Sequence, residues 1–386
     1  MVNRVLMPRE MLIGGGSLAQ LPALLGRLGV RRPLLVIDPA ILRLGLAHGV
    51  LAALDAAGCG ACVFADVVED PSDVSVMAAA GAIRANGCDG VVGFGGGSAI
   101  DTAKGAAIVA STGEDIHGLK VPRIVDLPTL PLVAIPTTAG TGSEATRACV
   151  ITDTARQEKM LILGTAALPA AAIVDYELTL SCPFRVTVDT GIDALTHALE
   201  ALVNRNCNPH ADALALSALK LIGPNLEAAA RTPGDRAARE AMMLGATHAG
   251  LAVSNTSTAL IHGLSRPIGA FFHVPHGLSN AMVLPLVTEF TLPAAPAAYA
   301  AACRALGWAE ATTPDDAAGR LLVAGFRGLN ARLEVPTLRG FGIDEAEYRA
   351  RIPEMARQAL ASGTPGNNPR VPSFEEMTAL YDAAWI

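Results

Sequence analysis

At 386 residues the chain exceeds the length over which one hydrophobic core usually keeps growing, so two domains are expected. It is 51% hydrophobic, 17% charged and only 4% aromatic, which excludes a disordered chain and suits helix-rich globular packing. A formal net charge of -7 opposes attraction to phosphate backbones or anionic membrane surfaces, so neither nucleic acid nor membrane is expected as a partner.

The opening segment, Met1 to Pro8, lacks the apolar run of a signal peptide, and no later run approaches the length of a membrane span. A cytoplasmic protein is the expectation. Seven scattered cysteines read as free thiols of a reducing compartment. Cys59 and Cys62 have C-x-x-C spacing, but without a second pair they read as thiols leading into a strand, not as a metal or redox centre.

From about residue 12 to 180, short apolar runs alternate with helical patterns. The runs are Pro33–Asp38, Ala61–Ala65, Gly90–Phe94, Leu132–Ile135 and Ala171–Asp175. Such alternation predicts an α/β domain with a mostly parallel sheet, and Leu46–Gly58 has the spacing and terminal glycine of a crossover helix. After Cys182 and Pro183 the strand rhythm stops and alanine- and leucine-rich helical periodicity continues, as in Ala211–Ile222. The expected division is therefore an α/β cofactor-binding domain over 1–182 and an all-α metal- and substrate-binding domain over 183–386. The Pro- and Asn-rich stretch 364–372 reads as a loop before a last helix, Ser373–Trp385, with Ser373 as N-cap.

Three segments carry chemistry. In the first, the strand ending at Phe94 runs into Gly95-Gly96-Gly97-Ser98 and then a helix containing Asp101 and Lys104. Glycines let a diphosphate approach the backbone, and free N–H groups at a helix start favour negative charge. The alternative is a tight turn that merely needs positive φ, and Ser98 stands where the dinucleotide fingerprint has its last glycine. In the second, the strand ending at Ile135 enters a loop with Thr137, Thr138 and Thr141, whose hydroxyls suit phosphate, ribose or amide contacts as well as helix capping. Asp38 closes an earlier strand, where a carboxylate accepts ribose hydroxyls and repels a 2′-phosphate, favouring NAD over NADP; the alternative is an Asx turn before Pro39.

The third segment is a helix from Thr190 to Leu202 in which Asp193 and His197 are four residues apart on one face. His262 and His276, each followed by glycine, add two imidazoles. One carboxylate and three imidazoles suit Fe²⁺ or Zn²⁺ and leave room for a substrate oxygen. The absence of H-E-x-x-H opposes a zinc protease.

These motifs, with Gly95 to Lys104, Pro136 to Glu144, Gly191 to Glu200 and Pro275 to Asn280 in matching order and spacing, resemble the iron-containing (group III) alcohol dehydrogenase family from about Gly14 to the C-terminus. The resemblance implies a dinucleotide-binding domain, a helical domain, a cleft between them and a homodimer. It places metal ligands on Asp193, His197, His262 and His276. Cofactor contacts fall on Asp38, Gly95, Gly96, Gly97, Ser98, Asp101, Thr137, Thr138, Thr141 and Lys159. The implied chemistry is reversible hydride transfer between an alcohol and its aldehyde or ketone.

One position departs from the family. Most members carry a second histidine four residues after the His262 equivalent, on the proton path, and here Arg266 stands there. Arginine stays protonated and cannot be a general base. Either Arg266 grips an anionic substrate tail with His273 relaying the proton, or Arg266 pairs with a local carboxylate. Resemblance to 4-hydroxybutyrate dehydrogenases makes succinic semialdehyde the first substrate to consider. A maleylacetate reductase-like enzyme and a non-catalytic dinucleotide sensor are the competing readings.

Overall fold

A computed structural model describes residues 2–156 and 158–385. The chain divides into two compact units, Val5–Cys182 and Pro183 to the C-terminus, with the first residues up to Arg4 grouping with the second unit.

The first unit holds eight strands: β1 (Glu10–Ile13), β2 (Pro33–Ile37), β3 (Cys62–Phe64), β4 (Gly90–Gly95), β5 (Leu132–Pro136), β6 (Ala148–Asp153), β7 (Glu158–Leu163) and β8 (Ala171–Val174). Its helices are α1 (Leu21–Arg27), α2 (Pro39–Arg43), α3 (His48–Ala56), α4 (Asp73–Asn86) and α5 (Gly97–Thr112). Six strands form an all-parallel sheet in the order β1-β8-β5-β4-β2-β3. Strand alternation sends Leu34 and Val36 to one apolar core with Ala103 and Ala107 of α5 and Val76 and Ala80 of α4. Leu35 and Ile37 go to the other face, with Leu24 of α1 and Leu54 of α3. Burial on both faces is why these strands read as unbroken apolar runs.

All five expected strands are present, and the crossover helix is α3. The sequence pattern does not anticipate β1 or the antiparallel hairpin of β6 and β7. The hairpin alternates half-buried with buried residues, and its short polar-interrupted runs lack the apolar continuity that marks the central strands.

The second unit is helical: α6 (Phe184–Val203), α7 (Pro209–Arg231), α8 (Arg236–Ser254), α9 (Leu260–Phe272), α10 (His276–Thr291), α11 (Pro296–Ala305), α12 (Asp315–Arg332), α13 (Leu338–Phe341), α14 (Glu345–Ala361) and α15 (Phe374–Ala384). Helix α15 begins with a capping box in which Ser373 and Glu376 satisfy each other's backbone N–H groups. No helix among the described residues is long and apolar enough to cross a membrane, and all seven cysteines are free thiols.

Candidate active site

Chain reversal in the strand order locates the first site. From β2 the sheet grows one way to β3 and the other way through β4 and β5 to β8, so the order reverses between β2 and β4. Ligands of open parallel sheets bind outside the carboxyl ends of the strands at such a point. Asp38 follows β2, Gly95 closes β4 and runs into Gly96 to Ser98, and Thr137 to Thr141 follow β5. All three predicted segments therefore meet on one edge of the sheet, with Ile37 opposite Phe94 and Gly95 opposite Pro136.

Packing there is tight. Gly95 has φ 154°, and a Cβ on it would lie 2.7 Å from the Asp38 Cβ and 2.8 Å from the Ala99 Cβ. A Cβ on Gly97 would lie 2.8 Å from Cγ2 of Thr141, and Thr137 donates its N–H to the Gly95 carbonyl at 3.0 Å. Helix α5 starts at Gly97 with no side chain capping its N-terminus, and Gly96, Gly97 and Ser98 are half-buried. Its first N–H groups thus remain available to an anion.

Asp38 makes the Asx contact that was one of its two expected readings. Its Oδ1 accepts from the Ala40 N–H at 2.8 Å as N-cap of α2, while Oδ2 accepts no hydrogen bond among the described residues. Asp101 is turned into the protein: Oδ1 accepts from the Ser143 hydroxyl at 2.6 Å, and Oδ2 from the Val150 N–H at 2.8 Å. Neighbouring Lys104 is fully buried and donates to the Thr146 and Ala148 carbonyls at 3.0 and 2.7 Å. This pair staples α5 to the hairpin, which gives Asp101 a structural duty that its place in the motif does not reveal. Lys159 lies on the hairpin, bonded to the Thr152 hydroxyl and paired with Asp70, both at 2.9 Å.

The second site is built by side chains from α6, α9 and α10. Asp193 is 2% exposed. Its Oδ1 lies 3.4 Å from His262 Nε2 and 3.6 Å from His276 Nε2, and one donor atom from each of these three residues falls within 4.8 Å of the others. Helix α10 reaches α6 this closely because Gly277 has no side chain: a Cβ there would lie 2.1 Å from the Asp189 carbonyl oxygen. His197 stands beside the trio. Its ring stacks on His262 with centroids 4.6 Å apart, and its Nδ1, 3.9 Å from Asp193 Oδ2, is buried without a hydrogen-bond partner.

Two residues without a role in the sequence reading complete this cluster. Glu200, 1% exposed, accepts from the N–H groups of Ala259 at 2.8 Å and Ile261 at 2.6 Å, and its Oε2 lies 2.6 Å from His262 Nδ1. One carboxylate thus caps the start of α9 and holds His262 through Nδ1, turning Nε2 inward toward Asp193. Asn280, fully buried, donates through Nδ2 to Asp193 Oδ1 at 2.8 Å, and the same nitrogen lies 3.2 Å from His262 Nε2 and 3.4 Å from His276 Nε2. With one N–H given to Asp193, the amide has one more to offer to whichever of the two nitrogens presents a lone pair. The signal was available: Glu200 follows Asp193 and His197 on the same helical stripe, and Asn280 follows His276 by four residues.

Charge and burial act in opposition here. Burial pushes the His197 imidazole down to about 4, aided by the positive charges of His262 and Arg266 and resisted by Asp193. Burial would also lower His262, but Glu200 and Asp193 together raise it. The histidines in turn hold the Asp193 carboxyl well below its ordinary range despite burial. A buried carboxylate, inward-facing imidazole nitrogens and one orphaned imidazole nitrogen fit a divalent transition metal and oppose Mg²⁺ or Ca²⁺, which take oxygen ligands.

Arg266, one turn beyond His262, is half-buried, and its only hydrogen bond among the described residues is from Nη2 to the Thr258 hydroxyl at 3.3 Å. No carboxylate among the described residues lies within ion-pair distance, so the local-pairing reading of Arg266 has no partner here. His273 is the exposed C-cap of α9 in the left-handed region, with φ 53°, and no contact ties it to the cluster.

Comparison with known proteins decides the family. Residues 8–176 match the iron-containing alcohol dehydrogenase family, and residues 187–385 match the C-terminal domain of the Fe-containing alcohol dehydrogenase family. The chain belongs to the iron-containing alcohol dehydrogenases. It is therefore an oxidoreductase of CH–OH groups, with iron and a nicotinamide dinucleotide as its cofactors. It is 33% identical to the NAD-dependent methanol dehydrogenase of Bacillus methanolicus over 378 residues, 98% of each chain. The crystal structure of a 1,3-propanediol oxidoreductase superposes with a TM-score of 0.94 at 32% identity, covering 100% of both chains. That of sulfoacetaldehyde reductase from Bifidobacterium kashiwanohense, solved with NAD⁺, gives 0.88 at 28% identity, covering 100% of this chain and 99% of that one.

Proposed function

We propose that this enzyme interconverts a small primary alcohol bearing an anionic tail with its aldehyde, using NAD(H). The observation that carries the reading is Arg266. A half-buried guanidinium beside the cluster, bonded only to a hydroxyl, is suited to bidentate capture of a carboxylate or sulfonate. That one structural relative is a sulfoacetaldehyde reductase supports an anionic substrate class. Succinic semialdehyde and 4-hydroxybutyrate are the pair proposed first.

In this reading Asp193, His197, His262 and His276 hold Fe²⁺, or Zn²⁺ in its place. When bound, the ion supplies Lewis acidity that lowers an alcohol's pKa, as it takes water from 15.7 to about 7 at zinc sites. Glu200 keeps His262 in the tautomer that offers Nε2. The N–H groups at Gly96, Gly97 and Ser98 receive the dinucleotide diphosphate, with Thr138 and Thr141 beside them. Asp38 Oδ2 accepts from the adenosine ribose, which favours NAD over NADP. Asp101 and Thr137 shape this edge from behind, and Lys159 reaches the cofactor from the hairpin. His273 is assigned the proton relay on the strength of its exposed, unpaired ring.

A cytoplasmic homodimer is proposed as the working form. Seven free thiols support a reducing compartment, and the edge position of β1 beside exposed Ile13 supports pairing between copies.

The test is NADH oxidation by anaerobically Fe²⁺-loaded enzyme with succinic semialdehyde and with butyraldehyde. Wild type is expected to prefer the charged aldehyde, and Arg266→Ala to lose about 10²-fold in kcat/KM on it alone, the scale of a charge-assisted contact of about 2–3 kcal/mol. Equal losses on both aldehydes would reject the clamp. In the same assay His273→Asn, which keeps a residue tolerant of positive φ, is expected to slow both by about 10²; an unchanged rate would leave His273 as a helix cap only.

A further inference from the structure

We propose that the first unit carries a second cation site, for a divalent transition metal of the zinc class, formed by Asp73, His117 and Asp153. The proposed activity makes no use of these residues. Asp73 opens α4, His117 lies in the short 3-10 turn Ile116–Leu119, and Asp153 closes β6. His117 Nε2 is 3.1 Å from Asp73 Oδ2 and 3.7 Å from Asp153 Oδ2, and one donor atom from each residue lies within 4.8 Å of the others. Nitrogen and oxygen ligands about 2 Å from a zinc ion sit roughly 3–3.5 Å from one another. His117 Nε2 already stands close to that spacing from an oxygen of each carboxylate.

Each ligand is pinned by its other polar atom. Asp73 Oδ1 accepts from the Val74 N–H at 2.9 Å and the Thr154 N–H at 3.4 Å. Asp153 Oδ1 accepts from the Ala155 and Arg156 N–H groups at 3.1 and 3.0 Å. His117 Nδ1 lies 2.5 Å from Asp115 Oδ1, an outer carboxylate that leaves Nε2 to face inward, as in carboxylate–histidine–zinc arrangements. Oδ2 of Asp73, Oδ2 of Asp153 and Nε2 of His117 therefore point at one place.

Asp153 brings a carboxylate into the cluster from inside the fold. It is 1% exposed, and its Oδ2 accepts no hydrogen bond among the described residues; the nearest cationic atoms are His117 Nε2 at 3.7 Å and Arg156 Nε at 3.9 Å. The side chain of His117 is 40% exposed, leaving a path for the ion and room for water ligands. An imidazole among the ligands selects the zinc class over Mg²⁺ and Ca²⁺.

Without the ion, a protonated His117 bridges the carboxylates; binding displaces one proton from Nε2. The ion would tie the start of α4 and the 3-10 turn to the hairpin that also carries Lys159.

The experiment compares wild type with His117→Ala, an exposed position. Fe²⁺-loaded protein is equilibrated with Zn²⁺ and passed through a desalting column, and metal per chain is measured. Wild type is expected to retain one Zn²⁺ more than His117→Ala, and Zn²⁺ is expected to raise the Tm of wild type but not of the variant. Asp153→Asn, if it folds, should behave as His117→Ala does. Exchange at the catalytic cluster is separated by repeating the pair on a His276→Ala background, where the extra ion should persist. Equal Zn²⁺ uptake and equal Tm response in wild type and His117→Ala would overturn the proposal and leave the triad as an ion-pair network around a protonated histidine.

Discussion

The two units prepare to bind by opposite means. In the first, the proposed cofactor edge is mostly backbone: glycines at the end of β4, an uncapped helix start, and hydroxyl-bearing residues at the end of β5. In the second, the four side chains proposed as ligands lie on α6, α9 and α10, and their neighbours bear on which atom each one offers. Backbone sites depend on what is left out at a few positions, whereas side-chain clusters depend on charge balance and on supporting residues. The expected effects of substitution differ accordingly.

The largest effect belongs to the cluster. Asp193→Ala removes the only carboxylate among the proposed ligands, and the enzyme is expected to lose bound iron and about 10³-fold or more in kcat, the equivalent of several kcal/mol of Lewis-acid stabilisation. Metal analysis alongside steady-state assay checks both; full iron occupancy would remove Asp193 from the ligand set. Gly95→Ala tests the other region. A Cβ at φ 154° pressed against Asp38 and Ala99 is expected to cost about 2–3 kcal/mol of stability, read as a lower Tm, and to weaken NADH binding. Unchanged stability would show that the loop has room its geometry denies.

Glu200→Gln sharpens the account of support within the cluster. The amide keeps the volume but presents N–H toward one of the donors that now meet a carboxylate, so metal affinity should fall about 10–100-fold. The Co²⁺-substituted enzyme should show altered ligand-field bands if Glu200 orients His262, and unaltered bands if it only caps α9.

The smallest effect is the pH dependence of metal-free protein. His197 is held near 4 when folded and titrates near 6.5 when unfolded, so the unfolded chain binds more protons between these values. Its contribution is present above about 6.5 and is lost as pH falls toward 4. His262 is raised and acts in the opposite sense, favouring the fold as pH falls. Thermal melts of apo wild type and His197→Gln across this window should show the weaker acid loss in the variant; identical profiles would mean that His197 is not buried neutral.

Legibility in the sequence followed the distance over which each feature is encoded. The five central strands announced themselves because burial on both faces demands continuous apolar runs. The hairpin of β6 and β7 did not, because half its residues face outward and its partner is itself. Asp193 and His197 were visible as an i, i+4 pair. Glu200 lies three residues beyond His197, and sequence alone does not separate a buried carboxylate on an amphipathic helix from a solvated one. The motif suggests a cofactor contact for Asp101 and is silent on the bonds from Ser143 and Val150 that the fold adds.

By itself, then, the sequence determined the kind of chemistry: a glycine turn at a strand end, one carboxylate with three imidazoles and, through the family resemblance, a guanidinium where most relatives carry a histidine. These are properties of residue type and local spacing, which covalent order specifies. Only the tertiary structure decided which atoms meet: the strand order that brings Asp38 against Gly95, the glycine at 277 that lets α10 close on α6, the Glu200 carboxylate behind His262, and the gathering of Asp73, His117 and Asp153. Those contacts join residues tens of positions apart. They exist because the packing of strands and helices, rather than sequence neighbourhood, sets which polar groups lose water together and must satisfy one another.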